Sequence, residues 1–384
     1  MTERVDVAVV GAGFGGLALA TLCADAGLSV AVLERRPELA PEGVGLVLQP
    51  NGLAVLDRLG VLDRILEAGH RVDRARQCDP SGRVRAEAAY GELRHPNPYL
   101  VVVDRTSAIA VIAGRLPERA TLRLGCAATG LDRSSERVTG VRYTGASGEE
   151  CTLHATCVVG ADGRNSVVRE QLGVRVGLRT GPDRFLIGFA AVRAPHPDAA
   201  VLYCGRGWCD GVLPFGEQTY FFDHLVGASR DAVDRDDLDA WRESYAARIP
   251  AGDRIAACVR SFEDVGFLSG RTHRAAPRSA PGVALLGDAA AAVHPHNGQG
   301  ANLALEDALA LGTVLTEHGP GADLRPYARA RDAKSRRYVP WSIFIGRTFD
   351  GPHAGWRAIR RFGYLASRIG PIRRSTTARQ AGLG

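Results

Sequence analysis

The chain has 384 residues, of which 45% are hydrophobic and 23% charged, a composition typical of a globular protein with room for two domains. Its formal net charge is +6, but residues 325–384 alone carry 14 basic and 2 acidic side chains. Because the basic charge is confined to one segment, the bulk of the chain gives no indication of a nucleic-acid partner.

The first predicted elements form a strand, a glycine-rich turn and a helix. Residues 5–10 are a β-branched run typical of a buried parallel strand. Residues 11–16 read Gly-Ala-Gly-Phe-Gly-Gly, and residues 17–27 continue as a helix that ends at a glycine. A second buried strand over residues 29–33 ends at Glu34, 18 residues after the last glycine of the turn. This arrangement predicts a dinucleotide-binding unit.

Each part of this unit has a task in binding a dinucleotide. Gly11 permits the tight turn, Gly13 lets the backbone approach a pyrophosphate, and Gly16 lets helix and strand pack closely. The helix N-terminus offers free N–H groups and a positive dipole end to the phosphates. Glu34 accepts hydrogen bonds from ribose hydroxyls and repels a 2′-phosphate, so FAD or NAD is predicted rather than NADP.

A second glycine–acid turn follows in the middle of the chain. Residues 158–159 end a strand, residues 161–163 form an Ala-Asp-Gly turn, and residues 166–172 are predicted to be helical. Such a turn is common in α/β proteins, so by itself it does not indicate a function.

The third motif follows another buried strand, residues 283–286. Gly287-Asp288 comes directly after it, at the strand end where open α/β sheets bind ligands. Residues 298–300 then lead into a helix over residues 301–317. Asp288 is placed to hold ribityl hydroxyls, and the N–H groups at the helix start suit the pyrimidine edge of a flavin, which is negative when reduced.

Together, the three motifs resemble the class A flavoprotein hydroxylases, the family of para-hydroxybenzoate hydroxylase. The resemblance spans residues 5–308 and is more specific for the fold and for FAD than for the reaction. It implies an α/β fold with a Rossmann-like FAD-binding domain of the glutathione-reductase type, a smaller, mostly antiparallel β-sheet substrate domain, and C-terminal helices. The implied FAD-binding domain comprises residues 1–70, 101–180 and 271–324, the substrate domain 71–100 and 181–270, and the C-terminal helical segment 325–384.

The resemblance also implies the cofactor site. Arg105 falls where the family places an arginine on the FAD pyrophosphate, and Pro295 is expected to shape the cavity beside the flavin. Arg35 and Arg36 either reach phosphate or adenine or form a solvated strand end. The expected FAD-binding residues are Gly11, Gly13, Phe14, Gly15, Gly16, Glu34, Arg35, Arg36, Arg105, Asp162, Gly287, Asp288, Pro295, Gly298, Gln299, Gly300, Ala301 and Asn302.

The chain departs from the family pattern at three places. Ala291 stands where a histidine is common, and His294 stands where a small or polar residue is usual. Pro41 and Glu42 precede Gly43 where an arginine is frequent. The first two changes alter the lining near the flavin, so the substrate or the flavin mobility is expected to differ.

The resemblance implies a monooxygenase reaction. NADH or NADPH would reduce FAD, and molecular oxygen would then give a flavin C4a-hydroperoxide that hydroxylates a small aromatic or other electron-rich substrate. No second glycine motif for the nicotinamide is present. The alternatives are an epoxidase or reductase on the same fold, or a catalytically silent FAD-binding protein. Candidate bases for a phenolic substrate, none of them assigned, are His224, His294, His296, Tyr203 and Tyr220.

The remaining sequence features concern location and partners. The eight cysteines form no CxxC pair, so reduced thiols of a cytoplasmic protein and no metal site are predicted. Glycines interrupt the apolar stretch 7–23, which argues against a membrane span. Residues 325–370 are expected to be largely helical. Their apolar stripe, Trp356, Ile359, Phe362 and Leu365, is expected to pack on the protein rather than lie on a membrane surface.

Overall fold

The computed structural model describes residues 3–39, 44–177 and 183–383, and the architecture refers to those residues. Their twenty strands, β1 to β20 in chain order, are Arg4–Val10, Val30–Leu33, Gly45–Leu48, Gly69–Val72, Arg74–Cys78, Val84–Ala89, Leu100–Asp104, Ala120–Arg123, Ala127–Ser134, Arg137–Thr144, Glu150–Gly160, Arg184–Ala190, Ala199–Cys204, Cys209–Phe215, Gln218–His224, Gly266–Ser269, His273–Arg274, Ser279–Ala280, Val283–Leu285 and Ala291–Ala292. Their twelve α-helices, α1 to α12, are Phe14–Asp25, Pro50–Arg58, Leu62–Ala68, Arg105–Ala113, Val167–Gln171, Ala228–Asp234, Leu238–Ala246, Gly252–Ala256, Gly300–His318, Arg325–Asp350, Ala354–Ala366 and Gly370–Gln380.

The first sheet carries the three glycine–acid turns. Its central strands run parallel in the order β19-β11-β1-β2-β8, and β9 and β10 extend β11 as an antiparallel meander. Strand β1 is buried on both faces. Val7 and Val9 belong to the core formed with α1 and α9, whereas Ala8 and Val10 belong to the core on the meander side. A continuous apolar run is therefore the right sequence for this strand.

The strand order changes direction beside β1. The chain continues from β1 to β2 on one side, whereas β11 on the other side pairs with β19. Ligands of open α/β sheets bind where the order reverses in this way. The turns that follow β1, β11 and β19 all lie at this carboxyl edge.

A second sheet of seven strands has the order β16-β12-β15-β14-β13-β5-β6. Every described pair is antiparallel except β13 with β5. Helices α6 to α8 cover one face, where Phe221, Trp241 and Tyr245 form the core. The two sheets and the C-terminal helices confirm the predicted fold class.

A small sheet of β3, β7 and β4 joins the two larger ones. Side chains of β7 alternate between the two cores, as the pleat of a strand requires. Val101 and Val103 belong to the core of the first sheet, and Leu100 and Val102 to a core shared with the second sheet. This strand therefore fixes the position of one sheet relative to the other.

The C-terminal segment is helical, as predicted, but it is divided at Gly351 and Pro352 into α10 and α11. The expectation that its apolar stripe packs on the protein is wrong for Ile359, Phe362 and Leu365. The Phe362 side chain is 72% exposed and Leu365 is also exposed. Helix α11 is held instead through Arg360, which donates to the carbonyl oxygen of Gly205 at 2.8 Å. None of the described helices combines the length and the apolarity needed to cross a membrane.

A buried ionic network connects α9 and α10 to the first sheet. Arg278, fully buried, donates to Asp332 of α10 at 2.9 Å and to Asp307 of α9 at 3.3 Å. Arg331 also contacts Asp307. Asp307 Oδ2, the oxygen that Arg278 contacts, also accepts a hydrogen bond from the N–H of Gly287 at 2.9 Å. The network therefore fixes the Gly287-Asp288 turn to both helices.

Replacing Arg278 by methionine should destabilise the protein strongly, because Asp332 would lose its arginine partner and the buried Asp307 would lose one of its two. We expect a loss of about 3–5 kcal/mol in the free energy of unfolding, measured by urea denaturation at saturating FAD. Arg325→Met is the matched control, since Arg325 pairs with Asp323 at 2.9 Å on the surface and should leave the urea midpoint unchanged. Equal midpoints for the two variants would contradict a structural role for the network.

Candidate functional site

Two cavities meet along the carboxyl edge of the first sheet and form one elongated cleft. The larger has a volume of about 450 Å³ and the smaller about 360 Å³. Gly13, Arg105, Ala161, Gly163 and Arg164 line both cavities and mark the place where they join. Of the expected FAD-binding residues, all except Gly16 and Asn302 line one cavity or the other.

The first glycine turn forms the narrow part of the cleft. Gly11 has a φ of +104°, and a Cβ atom there would lie 2.5 Å from the carbonyl oxygen of Ala161. A Cβ on Gly16 would lie 2.0 Å from the carbonyl oxygen of Gly11, so Gly16 packs the helix on the turn. Gly13 has open space where its Cβ would be. A ligand can therefore approach this backbone closely, at the start of α1.

Glu34 holds the turn from the end of β2. Its carboxylate accepts hydrogen bonds from the N–H of Ala12 at 2.9 Å and from the N–H of Arg36 at 3.0 Å. Glu34, Arg35 and Arg36 all line the smaller cavity. An oxygen accepts more than one hydrogen bond, so the carboxylate still has acceptor sites for ligand hydroxyls.

The second turn lies against the first. The N–H of Ala161 donates to the carbonyl oxygen of Val10 at 2.8 Å. Asp162 accepts a hydrogen bond from the N–H of Val168 at 3.2 Å with one oxygen, whereas its Oδ1 atom is buried without a partner among the described residues. Burial raises the pKa of this carboxyl. Asp162 therefore offers an unused acceptor in the wall of the smaller cavity.

The third turn faces the larger cavity. Gly287 has a φ of +57°, and the Asp288 carboxylate accepts a hydrogen bond from Arg164 Nε at 3.0 Å. Arg164 lines both cavities, yet the sequence analysis did not single it out. Its only sequence signal is its position directly after the Ala-Asp-Gly turn.

Gln299 and Asn302 use their side chains inside the protein. Asn302 accepts from the N–H of Gln49 at 2.9 Å and donates to the carbonyl oxygen of Val47 at 3.1 Å. Gln299 donates to the carbonyl oxygen of Gln380 at 2.8 Å. Both are buried, so they position the start of α9. The first N–H groups of this helix have no acceptor within it and remain available at its N-terminus.

The far end of the larger cavity is mainly apolar. Its walls come from the second sheet, the small sheet and helix α12, and include Leu202, Leu213, Phe222, Leu268, Thr377 and Gln380. Tyr90 supplies a hydroxyl that lies 3.4 Å from Gln49 Oε1. The sequence analysis did not identify Tyr90 or Gln49, because nothing local in the sequence places them beside the turns.

The candidate bases fall into three places. Tyr220 lines the larger cavity. Tyr203 lies in the core on the helix-covered side of the second sheet, where burial raises the pKa of its hydroxyl to about 12. His224, His294 and His296 form one buried cluster, of which only His296 is among the lining residues. Burial keeps the pKa of His296 well below its ordinary value.

Of the positions where the chain departs from the family pattern, Ala291 and His294 lie among the described residues. Ala291 pairs with Arg274 in the short sheet of β17 and β20, and His294 is buried, with Nε2 3.3 Å from Asp183 Oδ2. Pro41, Glu42 and Gly43 lie outside the described residues.

The cleft fits FAD by its donors and acceptors. Three backbone turns, the first without room for a Cβ atom at Gly11, alternate with the carboxylates of Glu34, Asp162 and Asp288, and two helix N-termini meet the cleft. This is the donor set that a dinucleotide with hydroxyls, phosphates and an aromatic ring requires.

Comparisons with known proteins agree with this fit. A family model described as "FAD binding domain" matches residues 4–342. The chain is 32% identical to kynurenine 3-monooxygenase from Salinispora arenicola, over 86% of this chain and 76% of that protein. It is 30% identical to 6-methylpretetramide 4-monooxygenase from Streptomyces rimosus, over 88% and 81% of the two chains. The solved structure of p-nitrophenol 4-monooxygenase PnpA from Pseudomonas putida covers this whole chain with a TM-score of 0.85 at 19% identity, and 99% of that structure is matched. The chain belongs to the FAD-binding monooxygenase family and is an FAD-dependent monooxygenase.

Proposed function

We propose that the protein hydroxylates a small aromatic substrate in the apolar end of the larger cavity, using FAD, NADH or NADPH and molecular oxygen. One observation carries the proposal. A single cleft runs from the polar glycine–acid turns to a chamber walled by the second sheet and α12. Kynurenine 3-monooxygenase and 6-methylpretetramide 4-monooxygenase, the two relatives described above, support an aromatic substrate.

The expected cofactor residues divide the FAD between the two cavities. Glu34, Arg35, Arg36 and Asp162 would hold the adenosine part in the smaller cavity. Arg105 would meet the pyrophosphate at the junction. In the larger cavity the lining residues Asp288, Pro295, Gly298, Gly300 and Ala301 would hold the ribityl chain and the flavin ring.

The same division assigns the parts of the chain. Residues 1–70, 101–180 and 271–324 would form the FAD-binding part, and residues 71–100 and 181–270 the substrate part. Strands β5 and β6 support this division, since they join β13 in the second sheet. Helix α12 would add to the substrate chamber, since Thr377 and Gln380 line the larger cavity.

When bound, the flavin supplies the activation of oxygen with electrons from the nicotinamide. The protein contributes binding, orientation and the exclusion of water. Leu202, Leu213 and Phe222 keep the chamber apolar, so a planar apolar ring is favoured there. Tyr90 and Gln49 provide a polar pair that can hydrogen-bond a substrate hydroxyl or amino group.

Turnover is the direct test of the reaction. With purified flavinated protein, small phenols and anilines should stimulate both NAD(P)H oxidation and oxygen uptake, and the product should be heavier by one oxygen atom and carry a new hydroxyl group. Oxygen uptake and product mass are the measurements, with NMR to separate a hydroxyl from an epoxide. Turnover without oxygen uptake would indicate a reductase, and no turnover with any donor would favour a silent FAD-binding protein.

Adding one methyl group at Gly11 tests whether this turn binds FAD. Gly11→Ala should lower flavin retention more than tenfold, because the new Cβ would clash with the Ala161 backbone and adopt an unfavourable φ. The ratio of flavin to protein absorbance in the purified protein measures this. Gly27→Ala is the control, since Gly27 has a similar φ of +89° but open space around its Cβ. Its purified form should stay yellow, and equal flavin loss in both variants would disprove the placement.

Asp288 should contribute directly to FAD affinity. Asp288→Ala removes a charged acceptor, and losing such a hydrogen bond costs about 1.5–3 kcal/mol, so Kd for FAD should rise roughly ten- to hundredfold. Fluorescence titration of the apoprotein with FAD measures Kd. Asp239→Ala, at an exposed position paired with Arg242, should leave Kd unchanged. An Asp288→Ala protein that purifies fully flavinated would place the site elsewhere.

A further inference from the structure

Three histidines and two aspartates are buried together beside the substrate chamber. Asp183 precedes β12, His224 ends β15, His294 and His296 lie between β20 and α9, and Asp350 ends α10. Their side chains are at most 9% exposed, and those of His296 and Asp350 are almost completely buried. Segments that are distant in the sequence thus bring five ionisable groups into one place.

Three of these residues converge without bonding to one another. Asp350 Oδ2 lies 3.5 Å from His296 Nδ1 and 3.8 Å from His224 Nδ1. These separations are too long for hydrogen bonds. Both ring nitrogens of His224, both of His296 and both carboxylate oxygens of Asp350 lack a hydrogen-bond partner among the described residues.

This concentration of unpaired atoms is unusual for a folded protein. Nearly all buried polar atoms have a partner, and leaving one without a partner destabilises the folded protein. A change of histidine tautomer does not remove the deficit, because both nitrogens of each ring are unpaired. Something that accepts one lone pair from each of the two imidazoles and from the carboxylate at once would reduce it.

A metal ion meets that requirement. One ligand atom from each of His224, His296 and Asp350 lies within 4.8 Å of the other two. Ligand bonds of about 2.0–2.2 Å around a tetrahedral ion place neighbouring ligand atoms roughly 3.3–3.6 Å apart, close to the separations from Asp350. The ring planes of His224 and His296 are at 89° to one another, so the two rings do not stack against each other.

We propose that His224, His296 and Asp350 bind a divalent first-row transition metal ion, with Zn²⁺ as the ion that best suits the donors. Two imidazoles and one carboxylate are ligands that zinc accepts. Asp183 lies 3.6 Å from Nε2 of His224, on the ring nitrogen opposite the one that faces Asp350. At this separation Asp183 makes no hydrogen bond to His224, but its carboxylate lies on the side of the ring where the orienting partner of a metal-binding imidazole is found.

The proposed ion has a structural task. It joins the end of β15, the loop before α9 and the end of α10, three segments with no covalent link near the site. Phe349 and His296 line the larger cavity, so the ion fixes one wall of the substrate chamber. The ligand side chains are at most 3% exposed, so an ion held by them would be shielded from solvent.

Metal analysis of the untagged holoenzyme tests the proposal without any activity measurement. We expect about one equivalent of zinc, or of another divalent first-row metal, per chain by mass spectrometry. After dialysis against a chelator, the melting temperature should fall, and added Zn²⁺ should restore it. Added Co²⁺ should give ligand-field bands at wavelengths longer than those of the flavin. Absence of bound metal together with no melting response to Zn²⁺ would overturn the proposal.

Two variants and a matched control locate the ion. His296→Gln and Asp350→Asn should each reduce the bound metal by at least tenfold. His154→Gln should retain the bound metal. His154 lies 3.6 Å from Asp132, a separation similar to that between His296 and Asp350, but this pair is partly exposed and does not belong to the three-residue group. Full metal content in His296→Gln would also overturn the proposal. If either variant does not fold, the measurements on the unaltered chain decide alone. Flavin content measured on the same samples separates this outcome from failure of the FAD site.

Discussion

The close approach of two backbone turns is the constraint on which the site depends. Ala161 donates its N–H to the carbonyl oxygen of Val10, and no Cβ atom fits at Gly11 beside it. Parallel pairing of β1 with β11 brings these turns together at one edge of the sheet. A wall made of backbone rather than side chains results, and a ligand can approach it closely. The positions of the other cofactor contacts proposed for this chain depend on where these two turns lie.

The third turn needs a different support, because it approaches from the long loop between β19 and α9. Asp307 supplies it by accepting the N–H of Gly287 while Arg278 and Arg331 neutralise its charge. A buried carboxylate is costly unless it is paired and hydrogen-bonded, and this one is both. Asp307 therefore holds the Gly287 turn in place and at the same time pairs the buried arginines Arg278 and Arg331.

The sequence predicted what depends on local order along the chain. The strands, the glycine turns and Glu34 are readable because a short strand, a turn without side chains and a helix follow in fixed succession. Gly16 and Asn302 belong to the same motifs, but they act behind the lining, a distinction that only packing reveals.

Residues brought in by tertiary contacts escaped sequence analysis. Arg164, Gln49 and Tyr90 have no pattern that places them near Asp288 or the chamber. The proposed metal ligands His224, His296 and Asp350 come from three separate segments without metal-binding spacing. For the apolar stripe of α11, in contrast, the sequence predicted packing on the protein that most of the stripe does not make. Its helical period is real, but period alone does not say which residues meet the protein. Trp356 of the stripe packs against Phe344 and Arg360 donates to Gly205, whereas the rest of the stripe is exposed.

Helix α12 lines the chamber with side chains but is held in place through its main chain. Thr377 and Gln380 face the chamber, while the backbone carbonyl of Gln380 anchors to Gln299. Because an anchor made by the main chain does not depend on the side chain, the chamber-facing positions of α12 are free to vary. Substitutions at these positions can therefore change the chamber without altering the glycine turns. In this way one fold can serve different reactions.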